Sequence, residues 1–251
     1  MNRERITSRK NPLLQQLRRL LQSRSEREAA GEYIADGTKL LAEAVRWIPE
    51  RLRTVVVTES VDPGKLPPHV RLVEVPDDIM AQLSPSKTPQ GALFTCALPP
   101  TEAAFIQPGT LILDGIQDPG NLGTILRTAD AWDRPVVLTP GCCDAYSHKT
   151  VRASMGAVFR TPPGFMTQEE VYGTLRAAGI PLYVTALTTD ALDVRQVALS
   201  KGAVVIGSEG KGVGEYFRTH ADQTLIIPMT ARCESLNAAV AAAVVLWQML
   251  A

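Results

Sequence analysis

The apolar and polar positions of the chain form two series of alternating strands and helices. In the first series, YIAD, RTVVVT, RLVEV and GALFTCA have the pattern of strands, and GTKLLAEAVRWI and DDIMAQL have the pattern of helices. Three prolines between residues 99 and 109 then indicate a linker. A second series begins after it with TLILD, which has the pattern of a buried strand. The pattern predicts an α/β fold with two domains, residues 1–98 and 110–251, joined by the linker 99–109.

The chain ends in a helix that is apolar on nearly every side. A short strand, residues 225–227, stops at Pro228, and a loop leads to the helix, residues 238–250. Such a helix is buried in a core or against a partner, and its length of about 14 residues is too short to cross a membrane. Ser235 lies at the N-terminal end of this helix. This serine is either an ordinary N-cap or part of a ligand site at the helix N-terminus.

Positive charge is concentrated at the N-terminus, although the net charge of the whole chain is zero. Residues 1–30 contain eight basic and three acidic residues, and Asn11 followed by Pro12 is a good start for a helix. Five leucines fall on one face of that helix: Leu13, Leu14, Leu17, Leu20 and Leu21. The arginines on its other face form either a solvated surface or a contact with RNA phosphates.

Cysteine and histidine usage bears on compartment and chemistry. The four cysteines lack C-x-x-C spacing and no secretory signal accompanies them, which favours reduced thiols and a cytoplasmic location. The three histidines are widely scattered, so we expect no metal site. We also expect no association with a membrane, because no other apolar run approaches the length of a span.

A glycine-dense loop, VVIGSEGKGVG at residues 204–214, continues from a predicted strand. It is not a Walker A loop, because Lys211 is followed by glycine, and it lacks the G-x-G-x-x-G spacing of dinucleotide-binding loops. Gly207 and Gly210 allow the backbone to approach either a ligand or another chain segment closely. Glu209 is the sole acid in this tight stretch.

A turn at residues 118–121 feeds a helix that carries Arg127 six residues after Asn121. Taken alone, Arg127 is either a surface cation beside a carboxylate such as Asp130 or a functional group. The helix pattern does not decide between these interpretations.

Three segments, taken together, resemble a known family. DPGNLGTILRTADA (118–131), VVIGSEGKG (204–212) and IIPMTARCESLNAAVA (226–241), in this order, are similar to the signature motifs of the SpoU-type (TrmH-like) RNA 2'-O-ribose methyltransferases of the SPOUT superfamily. Residues 144–160 resemble the connecting stretch of that family. Residues 8–17 and 33–44 resemble the start of its N-terminal substrate-binding domain.

The resemblance implies a parallel sheet with a C-terminal deep trefoil knot, preceded by a small α/β/α RNA-binding domain. It implies a homodimer, in which the terminal helix face around Ala241, Val244 and Leu246 is covered. Its substrate would be RNA, and the N-terminal domain favours ribosomal RNA over transfer RNA. A non-catalytic RNA-binding or ribosome-assembly factor on the same fold is the alternative to an enzyme.

The resemblance also implies the residues of the site. S-adenosylmethionine would be held at Gly207, Ile227 and Leu236. The catalytic group would comprise Asn121, Arg127, Glu209, Ser235 and Asn237. A guanidinium is hard to deprotonate, so we assign Arg127 to orienting the ribose and its phosphate and to stabilising developing negative charge. Glu209 and Asn121 would hold Arg127 or the loops in position, and the general base stays open.

Four positions depart from the family pattern. Ser208 stands where asparagine is common, Ala231 and Asp133 where glycine is common, and Asp36 where glutamate is usual. Ser208 keeps a hydrogen-bonding group and Ala231 adds only a methyl group. We therefore expect activity to be retained.

Overall fold

The computed structural model describes residues 3–100, 106–230 and 232–250. Two compact units are present: Met1–Pro100 with Tyr146–Arg160, and Thr101–Ala145 with Thr161–Ala251. Part of the predicted linker, residues 101–105, lies outside the described residues, as does Ala231.

The elements are numbered along the chain. The α-helices in the described residues are α1 (Pro12–Gln22), α2 (Arg24–Ala30), α3 (Thr38–Trp47), α4 (Asp77–Leu83), α5 (Pro119–Ala131), α6 (His148–Ser154), α7 (Ala157–Arg160), α8 (Gln168–Ala178), α9 (Glu215–His220) and α10 (Ala238–Gln248). The strands are β1 (Glu4–Arg5), β2 (Glu32–Asp36), β3 (Leu52–Val57), β4 (Arg71–Glu74), β5 (Ala92–Ala97), β6 (Leu111–Asp114), β7 (Val136–Leu138), β8 (Gly164–Phe165), β9 (Leu182–Thr185), β10 (Leu192–Asp193), β11 (Ala203–Gly207) and β12 (Gln223–Ile226).

The first unit is built on a five-stranded mixed sheet in the order β1-β4-β3-β5-β2. Successive strand residues point to opposite faces, and here both faces are buried. Ile34 and Val56 pack in one core with the leucines of α1 and the apolar side of α4. The neighbouring Tyr33 is also fully buried, on the other face. Helices thus cover the sheet on both sides, in agreement with the predicted α/β/α arrangement.

The segment from Tyr146 to Arg160 belongs by its contacts to this first unit. The ring centroid of Tyr146 lies 5.0 Å from that of Tyr33, and the ring of Phe159 lies 6.4 Å from Tyr33 and 6.5 Å from Phe94. The sequence placed this segment within the domain 110–251. The structure differs because the aromatic residues of the segment are buried against β2 and β5, a contact that adjacency in sequence does not reveal.

Acidic side chains balance most of the arginines near the N-terminus. Five ion pairs have N–O distances of 2.6 to 3.6 Å: Arg3–Glu74, Arg5–Glu74, Arg9–Asp78, Arg19–Glu26 and Arg24–Glu28. Two of these acids, Glu74 and Asp78, come from β4 and α4 and are absent from a count over residues 1–30. The positive excess of this surface is therefore smaller in the fold than in the sequence.

The second unit is built on a seven-stranded sheet in the order β10-β12-β9-β11-β6-β7-β8, and every described pairing in it is parallel. This confirms the predicted parallel sheet. Parallel strands are covered on both faces and place all of their carboxyl ends at one edge. The loops that follow β6, β11 and β12 therefore lie together at that edge.

The last helix, α10, packs against α5 and β11. Its buried side includes Ala242, Val245 and Leu246, whereas Val240, Val244 and Trp247 are 50%, 37% and 64% exposed. The expectation that Leu246 faces a partner is wrong. Its side chain is fully buried within its own chain. In the described residues no helix is both long and apolar enough to span a bilayer.

Asp133, one of the departures from the family pattern, has a left-handed backbone with φ 52°. Glycine adopts this conformation without a Cβ clash, whereas alanine is strained in it by about 1–2 kcal/mol. We therefore expect Asp133→Gly to melt about 2–8 °C above Asp133→Ala, since 1 kcal/mol shifts the melting temperature by about 2–4 °C in a chain of this size. Thermal unfolding followed by circular dichroism tests this. An alanine variant at least as stable as the glycine variant would contradict the left-handed assignment.

Candidate functional site

The three motif segments meet at the carboxyl edge of the parallel sheet. The strand β11 ends at Gly207, at the start of the glycine-dense loop, and β12 ends at Ile226, just before the loop that leads to α10. The helix α5 carries the first motif and packs against α10. Ligands of parallel α/β sheets bind outside this edge.

One carboxylate connects all three motifs. Oε1 of Glu209 accepts hydrogen bonds from Nδ2 of Asn121, from Nδ2 of Asn237 at 3.0 Å and from the backbone N–H of Ala238 at 3.3 Å. Nδ2 of Asn237 also donates to Oδ1 of Asn121 at 3.0 Å. The predicted residues Asn121, Glu209 and Asn237 thus form a closed network, with one member from each motif.

The two helix N-termini at the site are capped by side chains. Oδ1 of Asp118 accepts from the backbone N–H of Asn121 at 2.8 Å, and Oδ1 of Asn237 accepts from Ala239 and Val240 at 3.0 and 3.3 Å. Asn237, not Ser235, is therefore the N-cap of α10. This removes the structural role that the sequence left open for Ser235. The carboxylate of Glu209 lies beside the same N-terminus, where negative charge is favoured.

A pocket of about 500 Å³ opens beside this network. Gly207, Ile227 and Leu236, the three residues predicted to hold a cofactor, all line it, and so do Glu209 and Ser235. The volume lies within the range of about 300–1,000 Å³ that is usual for small-molecule sites. The structure therefore brings residues spread over 30 positions of the sequence to one concave site.

Gly207 is required by the chain itself. A Cβ atom at this position would lie 2.0 Å from the backbone carbon of Gly212 and 2.2 Å from the nitrogen of Val213. The loop folds back on the strand here, with the N–H of Gly212 donating to the carbonyl of Ser208 at 2.8 Å. Gly210 differs, because a Cβ there would meet nothing within 4 Å. Of the two alternatives for Gly207, close approach of another chain segment is the one observed.

Comparison with known proteins agrees with this arrangement. Residues 108–247 match the SpoU rRNA Methylase family, and residues 11–93 match the MRM3-like substrate binding domain. The chain belongs to the SpoU rRNA methylase family. The family predicted from the three motifs is thereby confirmed.

Similar proteins cover nearly the whole chain. RlmP of Bacillus subtilis, a 23S rRNA (guanosine(2553)-2'-O)-methyltransferase, is 31% identical over 248 residues, which cover 98% of this chain and 99% of that protein. The AdoMet-bound rRNA methyltransferase of Sinorhizobium meliloti is 29% identical, with a TM-score of 0.84 and coverage of 98% and 97%. AviRb of Streptomyces viridochromogenes in complex with AdoMet is 27% identical, with a TM-score of 0.82 and coverage of 96% and 98%.

Arg127 of this SpoU methylase is exposed on α5. Within the described residues its guanidinium makes no hydrogen bond and no ion pair, and Asp130 instead accepts from Oγ1 of Thr161 at 2.8 Å. Of the two interpretations left open for Arg127, a surface cation paired with Asp130 is therefore not observed. Glu209 and Asn121 hold each other and the loops rather than Arg127, so the guanidinium is available to an external anion.

Asp114 is a residue of the site that the sequence interpretation missed. This buried carboxylate at the end of β6 accepts from the N–H of Gly214 at 2.8 Å, from Nε2 of Gln168 at 2.9 Å and from Oγ1 of Thr139 at 2.7 Å. It thereby anchors the far end of the glycine-dense loop. The only signal in the sequence is an acid that ends an otherwise apolar strand.

Three further charged residues line the pocket: Lys211 in the glycine-dense loop, Arg218 on α9 and Glu234 in the loop before α10. Lys211 and Glu234 lie within the second and third motif segments, whereas Arg218 lies outside all three. Among the described residues no group of three or more His, Cys, Asp or Glu side chains is arranged to hold a metal ion.

The network predicts different effects for two substitutions of Glu209. Glu209→Ala removes the acceptor shared by three donors, whereas Glu209→Gln keeps one acceptor oxygen of the same shape. Because a hydrogen bond to a charged group contributes about 1.5–3 kcal/mol, we expect the alanine variant to lower the single-turnover rate of methyl transfer about ten- to hundredfold and the glutamine variant to lose less.

Glu215→Ala is the matched control, since Glu215 is exposed on the neighbouring helix α9. Rates are to be compared at saturating S-adenosylmethionine. Equal rates for Glu209→Ala and Glu215→Ala would show that the network is dispensable.

Proposed function

We propose that the protein transfers a methyl group from S-adenosylmethionine to the 2'-hydroxyl of a ribose in ribosomal RNA. The observation that carries the proposal is the network of Asn121, Glu209 and Asn237 beside the pocket lined by Gly207, Ile227 and Leu236. Family membership and the RNA 2'-O-methyltransferase relatives support it.

The pocket suits S-adenosylmethionine in size and in chemistry. Its lining combines apolar side chains such as Leu187 and Met229 with backbone groups at the ends of β11 and β12 and with charged residues. An adenosine needs apolar faces and backbone partners, and a methionyl end needs charged or polar ones. When bound, S-adenosylmethionine supplies an electrophilic methyl group on its sulfonium. The residues of this chain bind it at Gly207, Ile227 and Leu236.

The remaining residues position the nucleophile. An in-line displacement requires the ribose oxygen and the methyl carbon to be held at near-attack distance. Arg127 orients the ribose and its adjacent phosphate through a planar, bidentate donor set and stabilises negative charge that develops on the oxygen. Oε1 of Glu209 is already occupied by three donors, so we assign Glu209 to holding the loops. Ser235 lines the pocket beside Leu236 and contacts the reacting groups from the α10 side.

Ribosomal RNA is favoured over transfer RNA. RlmP and the Sinorhizobium meliloti enzyme, which both cover nearly the whole chain, are named for 23S rRNA and rRNA. By contrast, a structure concerned with 2'-OH methylation of C/U34 on tRNA covers 56% of this chain with a TM-score of 0.51. Residues 11–93 of the N-terminal unit match the MRM3-like substrate binding domain, which also supports ribosomal RNA as the substrate.

The test of this proposal is methyl transfer to defined RNA. Unmodified transcripts of 23S ribosomal RNA and of a transfer RNA pool are incubated with the protein and S-adenosylmethionine labelled in the methyl group. Nuclease digestion then identifies the labelled nucleoside. We expect a 2'-O-methylnucleoside from ribosomal RNA. Label in a base, or label only in transfer RNA, would overturn the proposed acceptor.

We also propose a homodimer formed through α10. Val240, Val244 and Trp247 form an exposed apolar stripe, and the ring of Trp132 lies 5.7 Å from that of Trp247. Trp247→Glu places a charge in the middle of this stripe, and we expect it to convert the protein from dimer to monomer without unfolding it. Light scattering at micromolar concentration measures the mass. A wild-type mass of a single chain, 27.2 kDa, would contradict the proposal.

The knot and the cytoplasmic location stay predictions. The position of β12 between β10 and β9 and the packing of α10 on α5 are compatible with a C-terminal segment that passes through an earlier loop.

A further inference from the structure

One surface of the first unit carries three exposed cations, and an ion pair with an acid is present at one of them, Arg152. It lies where β2 ends and α3 begins, and it includes Lys39 in the first turn of α3 and Lys149 and Arg152 on α6. All three side chains are exposed. Within the described residues none of them donates a hydrogen bond, which distinguishes this surface from the ion-paired arginines of α1 and α2.

Asp36, the last residue of β2, is the partner of Arg152 in this ion pair. Its Oδ2 lies 3.9 Å from Nη1 of Arg152, and the side chain of Asp36 is 8% exposed whereas that of Arg152 is 54% exposed. A separation of 3.9 Å is too long for a hydrogen bond, so the donors of the exposed Arg152 guanidinium stay available to another anion. Glu43, which follows Lys39 by one turn of α3, is engaged in an ion pair with Arg160 and does not neutralise the lysines.

The cations lie close enough to act together. Lys149 and Arg152 are three residues apart and therefore neighbours on one face of α6, and α6 packs against β2. Arg152 reaches Asp36, and Lys39 follows Asp36 after Gly37 at the turn into α3. Three exposed cations are thus grouped around one strand end, and Asp36 opposes only one of their charges.

An exposed aromatic group extends the same helix. Arg46 lies seven residues after Lys39, two turns along the same face of α3, with its guanidinium 5.1 Å from the ring centroid of Trp47. Trp47 is 47% exposed. Cations with an exposed aromatic ring suit unpaired nucleotides, whose phosphates and bases bind to these two kinds of group, better than they suit an acidic peptide.

We propose that the N-terminal unit binds the substrate RNA through this surface, with Lys39, Lys149 and Arg152 contacting phosphates, and not through the arginines of α1 and α2. The inference rests on the proposed function, because it locates the RNA contact of a ribosomal RNA methyltransferase. It assigns RNA contacts to α6, a segment that lies outside residues 11–93, the range that matches the substrate binding domain.

Two triple variants of the full chain test it, and each removes three positive charges. The first is Lys39→Gln, Lys149→Gln and Arg152→Gln, and the matched control is Arg9→Gln, Arg19→Gln and Arg24→Gln. Equilibrium affinity for an unmodified 23S ribosomal RNA transcript is measured at several potassium chloride concentrations. S-adenosylmethionine affinity and thermal melting are measured in parallel to show that each variant is folded.

We expect the first variant to bind the transcript at least about tenfold more weakly. The negative slope of log affinity against log salt should become shallower by about 2–3, as the loss of three phosphate contacts predicts. The control variant should bind within about twofold of wild type with an unchanged slope. A larger loss in the control variant, equal losses in both, or no loss in either would overturn the assignment. Wild-type protein that binds the transcript but transfers no methyl group would instead contradict the proposed function.

Discussion

Replacing Arg127 with alanine or with lysine lowers the rate of methyl transfer about a hundred- to thousandfold, the usual effect of removing a group that stabilises transition-state charge. The reason is geometric as well as electrostatic. The guanidinium of Arg127 has no partner among the described residues and lies on the helix that carries the first motif. Lysine keeps the charge but lacks the planar fork that binds a phosphate or ribose oxygen in bidentate fashion.

Single-turnover transfer to ribosomal RNA at saturating S-adenosylmethionine is the measurement for Arg127, with cofactor affinity and thermal melting as checks on folding. Arg195→Ala is the matched control, because Arg195 is an exposed arginine of the same unit that pairs with Asp193. Full activity of Arg127→Lys would show that charge alone suffices. Full activity of Arg127→Ala would remove Arg127 from the site.

Replacing Gly207 with alanine weakens S-adenosylmethionine binding about ten- to hundredfold, since overpacking costs about 1–3 kcal/mol and each 1.4 kcal/mol is a tenfold change in affinity. The added Cβ would lie 2.0 Å from the backbone of Gly212. That contact is with backbone and not with a flexible side chain, so the loop carrying Glu209 must move. Both the pocket wall and the network are displaced together.

Gly210→Ala controls for the Gly207 variant within the same loop, because its Cβ would meet nothing within 4 Å. Calorimetric titration with S-adenosylmethionine and S-adenosylhomocysteine measures both affinities. Gly210→Ala should bind both ligands as wild type does. Wild-type affinity in Gly207→Ala, or an equal loss in Gly210→Ala, would show that the close backbone approach does not shape the pocket.

The site could be predicted largely because its residues sit in ordered motifs. Asn121, Glu209 and Asn237 were expected together, and the hydrogen bonds between them agree with that expectation. The cap of α10 could not be assigned from sequence. Ser235 and Asn237 are both good capping residues two positions apart, and the choice depends on where the backbone becomes helical, which the fold decides.

The remaining differences come from contacts between distant positions. The arginines near the N-terminus predict a basic surface. In the structure, however, Glu74 and Asp78 form ion pairs with them from other elements. The segment 146–160 packs in the first unit because Tyr146 and Phe159 meet Tyr33, about 110 residues earlier in the chain. A deletion of residues 1–98 would therefore uncover these rings, which makes point variants the better probes of the N-terminal unit.

The role of Asp114 could not be predicted from the sequence either. A carboxylate at the end of a buried strand is an ordinary feature of a sequence, and its three donors come from β7's end, α8 and the glycine-dense loop. Its role as an anchor depends on the strand order β11-β6-β7, which the sequence pattern of strands did not specify.

The central claim is 2'-O-methylation of ribosomal RNA, and its most direct test is a map of 2'-O-methylated nucleotides in cells with and without the gene. Ribosomal RNA from cells without the gene should lack one 2'-O-methyl group. Purified wild-type protein with S-adenosylmethionine should restore it, and Arg127→Ala should not. An identical 2'-O-methylation map of ribosomal RNA in both strains would contradict the claim.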